Sequence, residues 1–125
     1  MAKILVADDE PDNQTFLILA LEHVGHEVIS AEDGEEAVGL ALKESPDLIL
    51  MDVRMPVLDG YEACRRMRSE PSLQQVPVVL LSVRGAEAVQ RGYEAGATEY
   101  VIKPFALEKL LERVSEILAR TGPPM

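Results

Sequence analysis

Five polar residues in this chain are placed where they could act together chemically. Each comes at or just after the end of a short apolar run: Asp8, Asp9, Asp52, Ser82 and Lys103. If those runs are parallel strands of one sheet, their carboxyl ends meet at one edge and the polar side chains converge there. Carboxylates about 5 Å apart repel each other by roughly 3 kcal/mol per pair at an effective dielectric constant of 20. The pattern therefore predicts a compensating positive charge at this edge.

Magnesium and a lysine are the natural sources of that charge. Mg²⁺ prefers oxygen ligands and typically takes one or two carboxylates, several waters and a phosphate oxygen. Lys103 would add a fixed cation, and the hydroxyl of Ser82 could hold an oxygen of a tetrahedral anion. A carboxylate in such surroundings can act as the nucleophile of phosphoryl transfer. Asp52 is the best placed for that role. Taken singly, each of these residues is commoner as an ordinary turn or surface residue, so their joint placement carries the hypothesis.

The strands that would position these residues are indicated by their apolar character. Residues 4–7, 48–51 and 78–81 are runs too short for helices and rich in Val, Ile and Leu, as buried parallel strands are. Residues 27–30 and 99–102 mix polar with β-branched or aromatic residues, which is typical of edge or half-covered strands.

Helical segments lie between and after these strands. They cover residues 12–24, 33–43, 60–68, 86–95 and 106–120. In the first of them Leu17, Ala20, Leu21 and Val24 share the predicted core face. Asp33 is the expected N-cap of the second. Strict alternation of strand and helix predicts an α/β fold with one doubly wound, five-stranded parallel sheet and helices on both faces.

Length and composition limit the classes of function. A chain of 125 residues fits one domain, and a formal net charge of −10 argues against direct binding of nucleic acid. Charges interrupt every apolar stretch, and the first residues lack a signal-peptide pattern, so we expect a cytoplasmic protein without a membrane anchor. The single cysteine, Cys64, excludes an internal disulfide. We expect one domain over residues 1–120, with 121–125 forming a tail or the start of a linker.

Five motifs occur in order along the chain. They are Asp8-Asp9 after the first strand, Asp52 followed by Met55-Pro56 and Asp59-Gly60, Ser82 after the fourth strand, Gly96-Ala97, and Lys103-Pro104-Phe105. With them, nearly the whole chain resembles the receiver domain of bacterial response regulators, the family that includes the chemotaxis response regulator. The resemblance implies the flavodoxin-like strand order 2-1-3-4-5, for which a member of this family is itself a standard example.

The resemblance also implies a metal site and a phosphoacceptor. Asp52 would accept the phosphoryl group. Asp9, Asp52 and the backbone carbonyl of Arg54 would bind Mg²⁺ directly, with Asp8 acting largely through metal-bound water. Mn²⁺ is an expected substitute for Mg²⁺.

A lysine and two switch residues are implied in the same way. Lys103 would pair with the phosphoryl group, and its bond to Pro104 would be the cis peptide of the family. Ser82 would move to bond the phosphate, and Tyr100 would follow it inward. That movement would alter the surface formed by the fourth helix, fifth strand and fifth helix.

Three positions depart from the commonest family pattern. Val83 stands where the family usually has Ala or Gly, and it could narrow access to the phosphoryl group. Arg54 and Arg84 lie two residues beyond Asp52 and Ser82, along the path of the hydrolytic water in this family. We therefore expect these residues to modulate the lifetime of the phosphorylated state.

The expected partners are proteins. A histidine kinase or a histidine phosphotransfer protein would donate the phosphoryl group, docking beside the first helix, where Phe16 is either a docking anchor or a flank of the core. The output would be a downstream protein or a fused output domain, and a phosphorylation-dependent homodimer would use the surface that Tyr100 alters. Such a receiver is a signalling protein that catalyses only its own phosphorylation and dephosphorylation.

Two other classes of function use related features. A metal-dependent phosphohydrolase would share aspartyl-phosphate chemistry, but it usually needs a second acid beside the nucleophile and a substrate cap, which the sequence lacks. A flavin-binding electron carrier would share the architecture. It would need a phosphate cradle of Gly, Ser or Thr where this chain has acids.

Overall fold

The computed structural model describes residues 2–82 and 85–121, and its five strands form one parallel sheet in the order β2-β1-β3-β4-β5. The strands are β1 Lys3–Ala7, β2 Glu27–Ala31, β3 Leu48–Asp52, β4 Val78–Ser82 and β5 Glu99–Ile102. Every neighbouring pair is parallel. The predicted strand order is confirmed, and the three most apolar runs are the central strands, which need cover on both faces.

Helices connect the strands and follow the last one. They are α1 Pro11–His23, α2 Gly34–Glu44, α3 Gly60–Arg68, α4 Ala86–Glu94 and α5 Leu107–Thr121, with a 3₁₀ turn at Pro71–Leu73. Capping follows the sequence: Asp33 Oδ1 accepts a hydrogen bond from Glu36 N at 2.8 Å, as predicted. Asp59 caps α3 in the same way, through Glu62 N at 2.9 Å.

Alternation along the strands divides the core into two layers. Leu5, Ile49 and Leu80 face one side, where α2, α3 and α4 pack. Their neighbours in sequence face the other side, where Leu21 of α1 and Val114 of α5 cover them. Because both faces of the central strands are covered, a site formed by these strands must lie at their ends.

One packing prediction was wrong and the helix bounds differ slightly. Val24, expected on the core face of the first helix, is 52% exposed. The helix ends at His23, and Val24 lies in its C-terminal cap beside Gly25, which has a φ of +98°. Leu17 and Leu21 are buried as expected. The last helix begins one residue later than predicted, and the carbonyl of Ala106 accepts the hydrogen bond from Leu110 N at 3.1 Å.

Among residues 2–82 and 85–121, no helix has both the length and the apolar character that a bilayer crossing requires.

Candidate functional site

The carboxyl ends of four strands bring the predicted polar residues to one edge of the sheet. Asp52 and Ser82 are the last residues of β3 and β4, while Asp8 and Lys103 directly follow β1 and β5. The register sets Asp52 beside Leu81, one residue before Ser82. The convergence predicted from the sequence is therefore present in the fold.

Three carboxylates form the centre of this edge. Asp8, Asp9 and Asp52 each present an oxygen, and these oxygens lie within 4.8 Å of one another. Asp8 is 2% exposed and Asp52 7% exposed, whereas Asp9 is exposed. A donor set made only of carboxylate oxygens, open to water on one side, suits a hard divalent cation that retains part of its hydration shell. The residues present therefore fit a magnesium ion.

Lys103 contacts the central carboxylate directly. Its Nζ lies 3.1 Å from Oδ1 of Asp52. Its backbone N–H donates to the carbonyl of Ser82 at 2.7 Å, which fixes the start of the loop after β5 against the end of β4. The peptide bond between Lys103 and Pro104 is cis, as the resemblance implied.

The carboxyl group of Asp8 has a raised pKa. Burial raises the pKa of Asp8 above its ordinary value of 3.8, and the nearby Asp52 and Asp9 raise it further. The hydrogen bond from the backbone N–H of Glu10 to Asp8 Oδ1, at 2.9 Å, and the positive charge of Lys103 offset part of the rise in pKa. In the absence of a cation, burial and the neighbouring carboxylates therefore destabilise the ionised form of Asp8.

Gln14 is a supporting residue that sequence reasoning missed. Its side-chain Nε2 donates to the carbonyl of Asp8 at 3.1 Å and to the carbonyl of Ala31 at 2.9 Å. The same Ala31 carbonyl accepts the backbone N–H of Asp8 at 3.1 Å. One amide of α1 thus ties the loop that carries Asp8 and Asp9 to the end of β2. The only sequence signal is a polar residue early in a helix that directly follows the acidic pair.

The two predicted switch residues are both buried. Ser82 is 4% exposed at the end of β4, and Tyr100 on β5 is 9% exposed. The ring of Tyr100 lies against α4 at Gly92 and close to the side chain of Tyr61 on α3. Tyr61 is the second residue that the sequence did not single out.

An open cleft of about 320 Å³ lies over the carboxylates. It is lined by Asp9, Glu10, Asp52, Arg54, Ser82 and Lys103. The exposed Arg54 thus shares the cleft with Asp52. Val83 and Arg84 lie outside the described residues.

A second, mainly apolar cavity of about 450 Å³ adjoins the cleft. It is lined by Asp8, Asn13, Phe16, Leu17, Leu81, Lys103, Pro104 and Phe105. Phe16 is 55% exposed, so this side chain borders an open cavity and leaves much of its ring in solvent. The cavity shares Asp8 and Lys103 with the site. The apolar wall of the cavity therefore lies beside the carboxylate cluster.

Comparison with known proteins gives one consistent family. The family model of the response regulator receiver domain matches residues 4–115. "Probable transcriptional regulator ycf27" of Cyanophora paradoxa is 42% identical over 123 residues, which are 98% of this chain and 50% of that protein. "Protein PilH" of Pseudomonas aeruginosa is 38% identical over 120 residues, covering 95% of this chain and 99% of that protein. The chain therefore spans about half the length of the first relative and nearly all of the second.

A solved structure supports the same fold and bears on the metal. The receiver domain of a sensor histidine kinase from Pseudomonas aeruginosa superposes with a TM-score of 0.83 at 36% identity, covering 96% of each chain. That structure has a magnesium ion coordinated in its active site cleft.

Proposed function

This chain belongs to the response regulator receiver domain family, and from that membership we propose that it is the phosphoacceptor switch of a two-component or phosphorelay system. The observation that carries the proposal is the contact of Lys103 with Asp52 inside a cluster of three carboxylates. The family is one of signalling domains, which favours this function over the phosphohydrolase and flavin carrier that share some of its features.

In the proposed reaction Asp52 is the nucleophile. A carboxylate oxygen of Asp52 forms a bond to phosphorus as the bond between phosphorus and the donor's histidine nitrogen breaks. The imidazole leaves with the electron pair and is neutral if it carried a proton on its other nitrogen. Lys103, 3.1 Å from Asp52 Oδ1, lies where it can pair with the phosphoryl oxygens, and the buried hydroxyl of Ser82 can donate to one of them.

The metal would be held by oxygen ligands alone. Asp9, Asp52 and the backbone carbonyl of Arg54 would bind Mg²⁺, or Mn²⁺ in its place, and Asp8 would act through water. When bound, the cation supplies positive charge that offsets both the carboxylates and the phosphoryl group.

Phosphorylation would be communicated through Ser82 and Tyr100. A phosphoryl group hydrogen-bonded to Ser82 shifts the end of β4, and Tyr100 on the adjacent β5 responds. The altered surface is the one formed by α4, β5 and α5, which would bind a downstream protein, a fused output domain or a second phosphorylated copy. The relatives include both a protein of twice this length and one of equal length. Either arrangement of the output is compatible with them.

The phosphoryl donor would be a histidine kinase or a histidine phosphotransfer protein docked at the apolar cavity. Phe16 borders that cavity and is largely exposed, as a docking anchor needs to be. The net charge of −10 disfavours direct contact of this domain with nucleic acid, and a cytoplasmic location is part of the proposal.

The phosphorylated state would have a lifetime set partly by the residues around the cleft. Arg54 lines that cleft, and a guanidinium there attracts phosphoryl oxygens. Val83 and Arg84 are proposed for the same role on sequence grounds alone. The decay of the phosphorylated protein measured for Arg54→Ala and Arg84→Ala tests this role, and unchanged decay in both rejects it.

The defining experiment is incubation with acetyl phosphate and Mg²⁺, followed by intact-mass measurement. We expect a single acid-stable, base-labile phosphoryl adduct that is absent in Asp52→Asn and in EDTA. Asp12→Asn, an exposed aspartate on α1, is the matched control and should keep the adduct. If acetyl phosphate gives none, a phosphohistidine protein donor is tried next, and its failure rejects the function.

A further inference from the structure

The hydroxyl of Tyr61 links α3 to α4 next to Tyr100. Tyr61 of α3 is 4% exposed. Its hydroxyl donates to the backbone carbonyl of Ala88, in the first turn of α4, at 3.1 Å. The side chain of Tyr100 on β5 lies close enough to Tyr61 to affect its pKa. Movement of Tyr100 or of α4 therefore changes the surroundings of the same hydroxyl group.

The ring of Tyr100 occupies a site on α4 that exists because residue 92 is glycine. A Cβ at Gly92 would lie 2.7 Å from Cδ2 of Tyr100, closer than carbon atoms can pack. Ala88 and Gly92 are four residues apart in α4, so they lie on the same helix face. Tyr61 thus binds the helix one turn away from the position where α4 receives the Tyr100 ring.

Arg91 holds the Tyr61 ring in place, and burial keeps the Tyr61 hydroxyl protonated. The guanidinium carbon of Arg91 lies 4.2 Å from the centre of the Tyr61 ring, a cation–π arrangement that adds a second contact from α4. Burial, with a smaller contribution from the neighbouring Tyr100, raises the pKa of Tyr61 to about 12, although the positive charge of Arg91 acts in the opposite direction. The phenol therefore remains a hydrogen-bond donor throughout the physiological pH range.

We propose that Tyr61 is a positioning residue of the switch, whose hydroxyl fixes the first turn of α4 and thereby holds the site in which the Tyr100 ring is buried. The inference rests on the proposed switch role of Tyr100. It gives α3 a role in setting the fraction of molecules in which Tyr100 is buried before phosphorylation. Because a ligand binds less tightly when its competent conformation is less populated, loss of this hydroxyl weakens the response to the phosphoryl group.

The test compares Tyr61→Phe with Tyr93→Phe in the full chain labelled with ¹³C-tyrosine. The chain has only three tyrosines, so their ring NMR signals are few and can be assigned from the Phe variants. Tyr93 lies on α4 and is 48% exposed, which makes it the matched control. In Tyr61→Phe we expect the Tyr100 ring signals to move toward those of an exposed tyrosine. We also expect the dissociation constant for beryllofluoride, a phosphoryl mimic, with Mg²⁺ to rise by about 2- to 10-fold, the equivalent of one hydrogen bond. In Tyr93→Phe neither quantity changes.

A second variant reaches the same point from α4. Gly92→Ala places a methyl group against the Tyr100 ring, so it should displace the Tyr100 signals in the same direction while leaving the Tyr61 hydroxyl intact. If Tyr61→Phe and Tyr93→Phe give the same Tyr100 signals and the same affinity for beryllofluoride, the inference is wrong. If the unchanged chain and Asp52→Asn bind beryllofluoride equally, the proposed function fails instead. The Tyr100 ring signals then still decide the role of Tyr61.

Discussion

The ammonium group of Lys103 and the carboxylate of Asp52 are in direct contact, with Nζ 3.1 Å from Oδ1. The two residues are 51 positions apart in the sequence and come from the ends of strands that are not neighbours, since β4 lies between β3 and β5. This lysine brings a positive charge into contact with a cluster of three carboxylates. Its charge can offset the repulsion among the carboxylates before phosphorylation and can pair with the phosphoryl group during transfer.

Replacing Lys103 by methionine should slow phosphorylation strongly while leaving the fold intact. Methionine keeps an unbranched apolar stem but removes the charge that would pair with the transferred phosphoryl group. We expect the rate of adduct formation with acetyl phosphate to fall by roughly 100-fold, the effect typical of a lost transition-state donor. Lys109→Met, on the exposed side of α5, is the control and should react at the normal rate. Equal rates in the two variants would show that Lys103 has no part in the chemistry.

At neutral pH and without metal, the native protein should be less stable than its Asp8→Asn variant. The folded pKa of Asp8 lies above the ordinary 3.8, so the folded state binds the proton more tightly than the unfolded state does. Stability is therefore lost as pH rises from 3.8 through the raised folded pKa, and the loss is complete above it. In EDTA at pH 7 we expect Asp8→Asn to be more stable by about 1 kcal/mol, or roughly 3–6 °C in melting temperature for a domain of this size.

Two comparisons separate this effect from general surface charge. The advantage of Asp8→Asn should shrink as the pH is lowered toward the raised pKa, because the native Asp8 then becomes neutral as well. Saturating Mg²⁺ should stabilise the native chain more than the variant. The exposed Asp12→Asn should show neither trend. A stability difference for Asp8→Asn that is independent of both pH and Mg²⁺ would contradict the explanation.

The strand ends were predictable from the sequence because the pattern there is local. Asp8, Asp52 and Ser82 each terminate an apolar run, and the parallel topology brings such ends together. The contacts of Gln14 and Tyr61 were not predictable in this way. They depend on which face each helix presents to a neighbouring element, and on a backbone carbonyl being within reach. Val24 was misplaced for a related reason, since its exposure is decided by where α1 ends.

Gln14 should support metal binding without touching the metal. Its amide holds the carbonyl of Asp8 to the end of β2, which restrains a loop that carries two mutually repelling carboxylates. Gln14→Met keeps the shape of the side chain but removes both hydrogen bonds, and we expect the affinity for Mn²⁺, measured by electron paramagnetic resonance, to fall about 3- to 10-fold. Gln90→Met, on the exposed face of α4, is the matched substitution. Should both variants bind Mn²⁺ as the native chain does, the loop needs no such restraint.

Phe16 should matter for a protein donor and not for a small one. It is 55% exposed and borders the apolar cavity beside Asp8 and Lys103, while Leu19 on the same helix is 62% exposed and does not line that cavity. Removing a buried aromatic anchor typically costs an interface 2 kcal/mol or more, which corresponds to about 30-fold. We therefore expect Phe16→Ala to lower kcat/KM for transfer from a phosphohistidine protein by about 10- to 30-fold and to leave the rate with acetyl phosphate unchanged. Leu19→Ala should alter neither rate. If Phe16→Ala slows both donors equally, the side chain supports the site itself. If it slows neither, the docking surface lies elsewhere.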